Sequence, residues 1–396
     1  MTLSYGARVG TVVRLKHSPG PDQRTGETLS ETSDVIVVGA GIVGCSVAYA
    51  LARDGVQVTV IERGEIGREA SWAGGGILTP IRPHTYPTDL LPLCRSGLDT
   101  FDRWIPALAD ESGIDVEHDV VGLLLLVRDD EDEREADSLR AWKNEHSQPA
   151  EVLSRAEVRE RVPGINPEFH KALLFPDTRQ IRNPRLLRSL SVAAERGGVT
   201  FRTKCPVGGL VRNGERIIGV QTPQGEMHAG TVIIAAGAWS SGSDLGISPA
   251  ISVKPIRGQM ILTEQDPVAF RHVLLWKGQY LVPRRDGKIL IGSSIEDVGF
   301  DSRVTAGVVH SLLQRASEIL PALSDAPFLR AWAGLRPSTP DRLPYIGPIP
   351  GADGVLAATG HYRNGLLLGP FTGEIIAAIH AGRPPGVDLT PYRPGR

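Results

Sequence analysis

Three glycines and one glutamate near the start of the chain have the types and spacing needed to bind a dinucleotide. Gly39, Gly41 and Gly44 follow the pattern GxGxxG, and Glu62 comes about twenty residues later. The first glycine permits a tight turn, the second lets the backbone approach a pyrophosphate, and the third lets a helix pack closely on a strand. A carboxylate at the position of Glu62 can accept hydrogen bonds from a ribose. The pattern therefore predicts a site for a dinucleotide cofactor.

The segments around these residues have the pattern of a strand, a helix and a second strand. Val35 to Val38 are consecutive β-branched residues, as a strand covered on both faces requires. An apolar helical run follows Gly44, and a second strand ends at Glu62. The start of the helix offers N–H groups and the positive end of its dipole to phosphates. This succession within about thirty residues favours an α/β fold with a nucleotide at the strand ends.

Later stretches could complete the same site. Gly74–Gly76 are consecutive and bounded by small residues, so their backbone can lie flat against a planar group. Thr231 begins a predicted strand that stops at Gly237, and small residues beside a dinucleotide crevice usually contact the cofactor. Near the C-terminus, Arg336 is predicted at a corner between a strand and a loop, held there by Pro337. A strand, a short loop and a helix start follow between residues 355 and 369.

Composition excludes several classes of protein. The chain has 396 residues, 41% apolar and 22% charged, which allows two domains with proper cores. Its net charge of −2 provides no basic field for nucleic acid or an anionic membrane. No run of about 18 apolar residues is present, so no membrane-spanning helix is predicted. The three cysteines are few and scattered, which argues against a disulfide framework and favours a cytoplasmic location.

Four motifs, three of them made of two separate segments, give the chain its resemblance to a known family. The chain resembles the D-amino-acid oxidase superfamily of FAD-dependent oxidoreductases, and most of all its glycine oxidases of thiamine biosynthesis. The resemblance extends from Asp34 to about Pro384. The motifs are Val38–Gly44 with Glu62, Ala70–Ile77, Tyr280–Arg284 with Ile291–Asp297, and Ala333–Pro337 with Gly360–Leu368.

The resemblance implies a fold of mixed α/β and α+β class. An FAD-binding domain of Rossmann type is assembled from residues 34–112, 180–250 and 331–385, and an antiparallel-sheet substrate domain is inserted as residues 113–179 and 251–330. Residues 386–396 form a tail. Residues 1–33 contain no apolar run long enough for a signal peptide, so we interpret them as a disordered extension or as the product of an upstream start codon.

The resemblance also implies which residues contact FAD. They lie in the phosphate turn, at the ribose, along the flavin, at the adenine and in the loop beneath the pyrimidine side of the flavin. These positions are Gly39, Gly41, Ile42, Val43, Gly44, Glu62, Arg63, Ala70, Ser71, Gly75, Gly76, Ile77, Val207, Gly237, His361, Tyr362, Arg363, Asn364, Gly365, Leu366 and Leu367. Some members of the family attach the flavin covalently, through a cysteine near the C-terminus or a histidine after the Ser-Trp pair. This chain has no cysteine beyond Cys205 and has Ala73 after Trp72, so the resemblance implies FAD that is bound non-covalently.

Three residues match the substrate-binding positions of the family. By this resemblance Arg336 pairs with the substrate carboxylate, Tyr280 gives that carboxylate a second hydrogen bond, and Arg363 lies near the amine or carboxylate. A planar guanidinium suits the first role, since it matches a carboxylate in geometry and stays charged when buried. Ile295 takes the place of a methionine that the family often has in the wall of the pocket.

The resemblance implies oxidative deamination of a small amino acid or amine. Hydride passes from the substrate Cα to the flavin, the imine hydrolyses to glyoxylate or supplies thiazole synthesis, and oxygen is reduced to hydrogen peroxide. No Asp, Glu or His recurs in the pocket motifs as a general base, so we expect none to be required. The start of the helix near Gly365 should stabilise negative charge on the reduced flavin. A homo-oligomer is the expectation for the family.

Three alternatives remain open at this point. The first is a D-amino-acid or sarcosine-type dehydrogenase that passes electrons to an acceptor other than oxygen. The second is a non-catalytic FAD-binding scaffold. The third is an NAD-dependent dehydrogenase, which the GxGxxG motif alone would fit; the glycines at 74–76 and the loop at 360–368 argue against it.

Overall fold

The computed structural model describes residues 32–80, 83–146, 150–241, 245, 247, 250–265 and 267–396. The predicted extension, residues 1–33, lies outside them except for its last two residues, which begin the first strand. The strands are β1 Thr32–Val38, β2 Val58–Ile61, β3 Ile77–Leu78, β4 Asp119–Val120, β5 Leu123–Val127, β6 Glu151–Ser154, β7 Lys171–Phe175, β8 Arg179–Gln180, β9 Thr200–Arg202, β10 Gly209–Asn213, β11 Arg216–Thr222, β12 Gly225–Ile234, β13 Lys254–Glu264, β14 Val273–Trp276, β15 Gln279–Pro283, β16 Lys288–Gly292, β17 Phe328–Ser338, β18 Tyr345–Pro348 and β19 Val355–Thr359. The α-helices are α1 Ile42–Arg53, α2 Ala70–Ala73, α3 Leu90–Ser112, α4 Asp130–Glu145, α5 Arg155–Arg161, α6 Asn183–Arg196, α7 Ala306–Ile319 and α8 Gly365–His380.

The first sheet is a parallel core with an antiparallel hairpin at one side. Its order is β10-β11-β12-β1-β2-β9, with β19 also pairing β12 and β18 pairing β19. The pairs β12–β1, β1–β2, β2–β9 and β12–β19 are parallel. These strands come from three separated stretches of the chain, which confirms the predicted Rossmann-type fold built from discontinuous segments.

One strand of this sheet is longer than the sequence predicts. The buried strand predicted from Thr231 is the second half of a longer strand, β12, which begins at Gly225. Its first half pairs antiparallel with β11, and its second half lies between β1 and β19. The first half is mostly exposed or partly exposed and the second half is mostly buried, so only the second half has the sequence pattern of a buried strand.

The second large sheet has eight strands and is mostly antiparallel. Its order is β17-β13-β16-β15-β14-β5-β7-β6, and all neighbours are antiparallel except β14 and β5. The domain boundary predicted at residue 331 falls inside β17, which pairs with β13 from Phe328 to Ser338. Arg336 therefore lies within a strand and not at a strand-to-loop corner. Pro337 is tolerated there because β17 is an edge strand, and it lies opposite Pro255.

Helices α1 and α8 pack against each other through small residues. A Cβ at Gly373 would lie 2.5 Å from the Ser46 carbonyl oxygen, and a Cβ at Gly369 would lie 3.0 Å from an atom of Ile42. The close approach brings the N-termini of both helices to one cavity. Within the described part of the chain, no helix combines the length and apolarity needed to cross a membrane.

Candidate active site

A cavity of about 430 Å³ lies between the two large sheets, and nearly all predicted site residues line it. The predicted residues in its wall are Gly39, Gly41, Ile42, Val43, Glu62, Arg63, Ala70, Ser71, Gly75, Gly76, Ile77, Val207, Gly237, Tyr280, Arg336, His361, Tyr362, Arg363, Asn364, Gly365 and Leu366. Two others lie outside the wall. Gly44 packs on the turn, where a Cβ would come within 1.8 Å of the Gly39 carbonyl oxygen, and Leu367 is buried in the core.

Glu62 is fixed at one end of the cavity, which we call the nucleotide end. Its two carboxylate oxygens accept hydrogen bonds of 2.8 Å from the backbone N–H groups of Ala40 and Gly64. Gly39 has a φ of +104° and lies against the Ala235 carbonyl, so a side chain there would be excluded. The turn thus holds a carboxylate at the mouth of helix α1, with unused lone pairs available to hydroxyl groups.

Ser71 and Arg63 close the same end. Ser71 Oγ accepts from the Ile42 N–H at 2.9 Å, so one of the unpaired donors of helix α1 is already used within the protein. The Arg63 guanidinium lies 3.4 Å from the centroid of the Trp239 ring and forms an ion pair of 2.5 Å with Glu69. Sequence reasoning missed Trp239 and Glu69, both of which line the cavity. The aromatic residue next to Gly237 was the available signal for Trp239.

Arg336 lies at the opposite end, which we call the reacting end. Its Nη2 donates to Ser293 Oγ at 2.7 Å, and its Nη1 donates to the backbone carbonyls of Ser294 at 3.1 Å and Arg257 at 3.3 Å. The Arg336 side chain is half-buried, and the loss of solvent around its guanidinium lowers its pKa. Among the described residues no carboxylate forms an ion pair with it. A cation held only by neutral partners favours an anionic ligand.

Gly258 gives the Arg336 side chain its place. Residue 258 is opposite Gly334 in the β13–β17 pair, so it is the diagonal neighbour of Arg336. A Cβ at Gly258 would lie 2.2 to 2.4 Å from the guanidinium atoms. The arginine therefore crosses directly over a glycine, and neither Gly258 nor Ser293 was identified from the sequence.

Tyr280 packs beside this arginine. It is buried, and its hydroxyl donates to Met260 Sδ at 3.4 Å. The predicted replacement of a pocket methionine by Ile295 is wrong, because Ile295 is 57% exposed and does not line the cavity. Met260 on β13 lines it instead. The error came from placing residue 295 on a pocket strand, whereas β16 ends at Gly292.

Further cationic groups and one tyrosine lie near the reacting end. Arg363 lines the cavity and makes no ion pair with any described carboxylate. Burial raises the pKa of Tyr86, and the positive charges of Arg363, Arg342 and Arg336 oppose that shift. Tyr86 is therefore within electrostatic range of three arginines. It was missed because nothing in the short segment before helix α3 distinguishes it from a core aromatic residue.

The loop before helix α8 contributes a neutral histidine and a free amide. His361 is buried, its Nε2 is 2.9 Å from Thr372 Oγ1, and burial lowers its pKa to about 3. Such a histidine is uncharged at neutral pH and is too weak a base to take a proton there. Asn364, the residue before the first turn of α8, is buried and its Nδ2 has no partner among the described residues. A donor at a helix N-terminus suits a group that carries negative charge.

The two ends and the wall between them fit FAD. A fixed carboxylate and a helix N-terminus occur at one end, and Gly74–Gly76 line the cavity beside Tyr280, where a Cβ at Gly75 would lie 2.9 Å from the tyrosine ring. Residues Asn364 to Leu366, at the start of helix α8, line the same cavity. The Asn364 Nδ2 group is buried and has no partner among the described residues. A nucleotide, a pyrophosphate and a planar ring carrying carbonyl oxygens fit these features. The fold and cavity define a flavin-dependent oxidoreductase.

Comparison with known proteins gives the family. The family model described as DAO, FAD dependent oxidoreductase, matches residues 34–379, and the chain belongs to this family. It is 41% identical to glycine oxidase of Pseudomonas aeruginosa, over 91% of this chain and 98% of that protein. It is 33% identical to the bifunctional protein ThiO/ThiG of Nostoc sp., over 88% of this chain but 52% of that protein. The crystal structure of glycine oxidase from Geobacillus kaustophilus superposes with a TM-score of 0.87, at 29% identity and with 92% and 99% of the two chains covered.

The chain is therefore an FAD-dependent amine oxidoreductase, which confirms the predicted enzyme class and cofactor. The same similarities argue against the two alternative hypotheses of an NAD-dependent dehydrogenase and a non-catalytic scaffold.

Proposed function

We propose that the protein catalyses the oxidative deamination of glycine or a similarly small amino acid, with molecular oxygen as the electron acceptor. The observation that carries this proposal is Arg336, a half-buried cation in the cavity wall whose hydrogen-bond partners are all neutral. An α-amino acid brings the carboxylate that such a site lacks. The similarity to a glycine oxidase over nearly the full length of both chains supports the small substrate.

The residues of the reacting end have separate tasks in this proposal. Arg336 binds the substrate carboxylate bidentately, and Tyr280 turns its hydroxyl from Met260 to the same group. The bound carboxylate fixes the orientation of the substrate α-carbon. The substrate therefore loses its rotational and translational entropy on binding and not in the chemical step. Tyr280 and Met260 are buried and narrow the space beside the arginine, which favours a substrate with a small side chain.

The cofactor supplies the redox chemistry: when bound, FAD accepts a hydride equivalent from the α-carbon of the amine. The chain supplies no evident base, because the described acidic residues in the wall, Glu62 and Glu69, belong to the nucleotide end, and His361 is a very weak base. The substrate amine then reacts in its neutral form. The donors at the start of helix α8 stabilise the charge that the cofactor gains.

For glycine the balanced reaction is glycine, water and oxygen to glyoxylate, ammonia and hydrogen peroxide. We further propose that part of the imine product supplies the thiazole of thiamine. The similarity to a protein named ThiO/ThiG supports this assignment. If it is correct, a strain lacking this chain will need added thiamine for growth, and normal growth without thiamine would contradict it.

A panel of small amines tests the proposal directly. Purified holoprotein is mixed anaerobically with glycine, sarcosine, D-alanine and D-proline, and bleaching of the flavin absorbance reports reduction. Air is then admitted, and oxygen consumption and peroxide are measured. We expect reduction by glycine followed by stoichiometric peroxide. A flavin that glycine leaves oxidised would overturn the substrate; a reduced flavin that oxygen does not reoxidise would indicate the dehydrogenase alternative.

Arg363 favours a second candidate substrate class, amines that carry a second anionic group. This arginine lines the cavity without an ion-pair partner among the described residues, and Arg342 adds positive charge nearby. Iminodiacetate in the same panel tests the idea. A kcat/KM above that for glycine, lost in Arg363→Ala, would favour this class, whereas glycine turnover at least as efficient would exclude it as the main substrate.

A further inference from the structure

The triple-glycine segment, Gly74–Gly76, is held from behind through its carbonyl groups. The Gly74 oxygen accepts from Asn183 Nδ2 at 2.9 Å, the Gly75 oxygen accepts from Arg284 Nη2 at 2.9 Å, and the Gly76 oxygen accepts from the Ile181 N–H at 2.8 Å. The three donors lie far away in the sequence: Arg284 directly follows β15, Ile181 directly follows β8, and Asn183 is the first residue of α6. The segment is therefore fixed by its carbonyls and does not depend on side chains of its own.

The opposite groups of this segment remain available. The N–H groups of Gly75 and Gly76 have no hydrogen-bond partner among the described residues, and both glycines line the cavity. Backbone N–H groups that are left without partners inside a protein carry a free-energy cost unless a ligand or water satisfies them. The edge of a flavin that carries a carbonyl oxygen and an unprotonated ring nitrogen is a ligand of the required type.

Arg284 brings a positive charge to the same place. Desolvation of its guanidinium lowers its pKa to about 10, so it is protonated at neutral pH. Its hydrogen bonds all go to neutral acceptors: Gly75 O, Ile181 O at 3.1 Å and Gln180 Oε1 at 3.4 Å. The two carboxylates in its surroundings, Glu117 and Asp286, form ion pairs with Arg182 at 3.3 and 2.8 Å. Its charge is therefore not cancelled by a carboxylate of its own among the described residues.

We propose that Arg284 is a positioning residue for the flavin. Arg284 fixes the triple-glycine segment through Gly75, and its charge makes reduced FAD bind more tightly than oxidised FAD. The proposal rests on the placement of the flavin ring along Gly74–Gly76. The physical reason is that reduction adds negative charge to the ring system, and a nearby cation in a poorly solvated environment stabilises that charge. Arg284 itself does not line the cavity, so it acts through the segment and through its field.

The test separates the charge from the packing. In Arg284→Met the guanidinium is lost while a long side chain remains. In Arg284→Lys the charge remains, but the hydrogen bonds from the two separate guanidinium nitrogens are lost. Arg285→Met is the matched control, because Arg285 is the next residue, is exposed and forms ion pairs with Asp115 and Asp119. Each apoprotein is titrated with FAD, and the midpoint potential of the bound flavin is measured.

We expect Arg284→Met to weaken the binding of reduced FAD at least tenfold more than that of oxidised FAD. For a two-electron couple this is a decrease of about 30 mV or more in midpoint potential. Arg284→Lys should keep the potential and lose affinity equally for both forms, and Arg285→Met should change neither. Equal weakening of both forms in Arg284→Met would contradict the proposal, and so would a potential that falls as far in Arg284→Lys. If Arg284→Met does not fold, Arg284→Gln, which also removes the charge, takes its place with the same expected result.

A third variant distinguishes failure of this proposal from failure of the ring placement. Gly76 has a φ of +71°, and a Cβ there would lie 2.1 Å from the Ile181 carbonyl oxygen, so Gly76→Ala must distort the segment. If Gly76→Ala weakens FAD binding or shifts the flavin absorbance while Arg284→Met leaves the potential unchanged, the ring placement stands and the role of Arg284 is wrong. If Gly76→Ala also leaves the FAD affinity and the flavin absorbance unchanged, the flavin ring does not lie along this segment. The ring placement and the proposed role of Arg284 are then both wrong.

Discussion

The two ends of the cavity are built in opposite ways. At the nucleotide end, the turn at Gly39–Gly44 and the carboxylate of Glu62 belong to one continuous strand–helix–strand unit. At the reacting end, Tyr280 and Ser293 come from the β15–β16 pair and Arg336 comes from β17, and they meet only because both β16 and β17 pair with β13. The first end can be recognised from local spacing, and the second depends on tertiary structure.

The ends also differ in charge and in what holds the charged group. Glu62 is held by two backbone N–H groups, whereas Arg336 is held by two backbone carbonyls and one hydroxyl. Each ion is oriented by neutral groups, so its charge remains available to a ligand. The carboxylate suits hydroxyl donors and the guanidinium suits an anion. The polarity of the cavity therefore matches the proposal of a nucleotide at one end and a carboxylate substrate at the other.

The strongest separation of the two ends should come from Arg336→Ala. Two charge-assisted hydrogen bonds to the substrate carboxylate, each worth about 1.5–3 kcal/mol, would be lost, so kcat/KM for glycine should fall on the order of 100-fold or more. The dissociation constant of FAD should stay within about twofold, because the arginine is at the other end. Steady-state kinetics and FAD titration of the same preparation measure both.

Arg336→Lys refines that result. It keeps the charge but not the planar pair of donors, so it should recover only part of the loss. An unchanged KM for glycine in either variant would remove Arg336 from the substrate site.

The converse experiment is Glu62→Gln. The amide cannot accept from both backbone donors without turning an NH₂ group toward one of them, so the turn loses a charge-assisted contact worth about 2 kcal/mol. FAD should bind roughly thirtyfold more weakly, and KM for glycine at saturating FAD should not change. Glu65→Gln is the matched control, since Glu65 is an exposed partner of Arg68. A shift in KM with normal FAD affinity would falsify the assignment of the two ends.

Gly258→Ala tests whether the position of Arg336 matters apart from its charge. The added methyl group would lie within 2.4 Å of the guanidinium, so the arginine must move while remaining charged. KM for glycine should rise about tenfold, the equivalent of about 1.4 kcal/mol, with FAD affinity retained. Gly307→Ala is the control, because nothing lies within 4 Å of the position of its Cβ. Equal kinetics in the two alanine variants would show that the substrate does not depend on the placement of Arg336.

The difference between the ends also explains what could be predicted from the sequence. The phosphate turn, Glu62 and the buried strands were predictable because strand and helix periodicities and glycine spacing are local properties. Arg336 and Tyr280 were identified only through resemblance, and Arg336 was expected at a corner that is in fact part of β17.

The residues that support the reacting end were not predictable for a physical reason. Gly258 and Tyr86 have ordinary neighbours in the sequence, and Ser293 lies in a recognised motif that does not indicate its contact with Arg336. The positions of all three relative to the arginine side chains depend on strand register or on the packing of a loop. Asn183 is similar, since its side chain reaches the carbonyls of Ser71 and Gly74. A glycine or serine in a strand carries no sign of which distant side chain will cross it.

His361 gives the smallest predicted effect, and it concerns stability instead of binding. The unfolded chain takes up a proton on this histidine below about pH 6.5, whereas burial lowers the pKa in the folded protein to about 3. The contribution to the free energy of unfolding is therefore complete above pH 6.5 and is lost as the pH falls toward 3. At pH 5.5 the loss should be about 1.4 kcal/mol.

Urea unfolding of the holoprotein at pH 8 and pH 5.5, compared with His361→Asn, measures this effect. The variant has no titrating group at the position, so its stability should fall less between the two pH values, by about the same 1.4 kcal/mol. An identical pH dependence in both proteins would show that residue 361 is protonated alike in the folded and unfolded states. The histidine would then carry a positive charge at pH 5.5, and its role as a neutral group in the loop before helix α8 would be wrong.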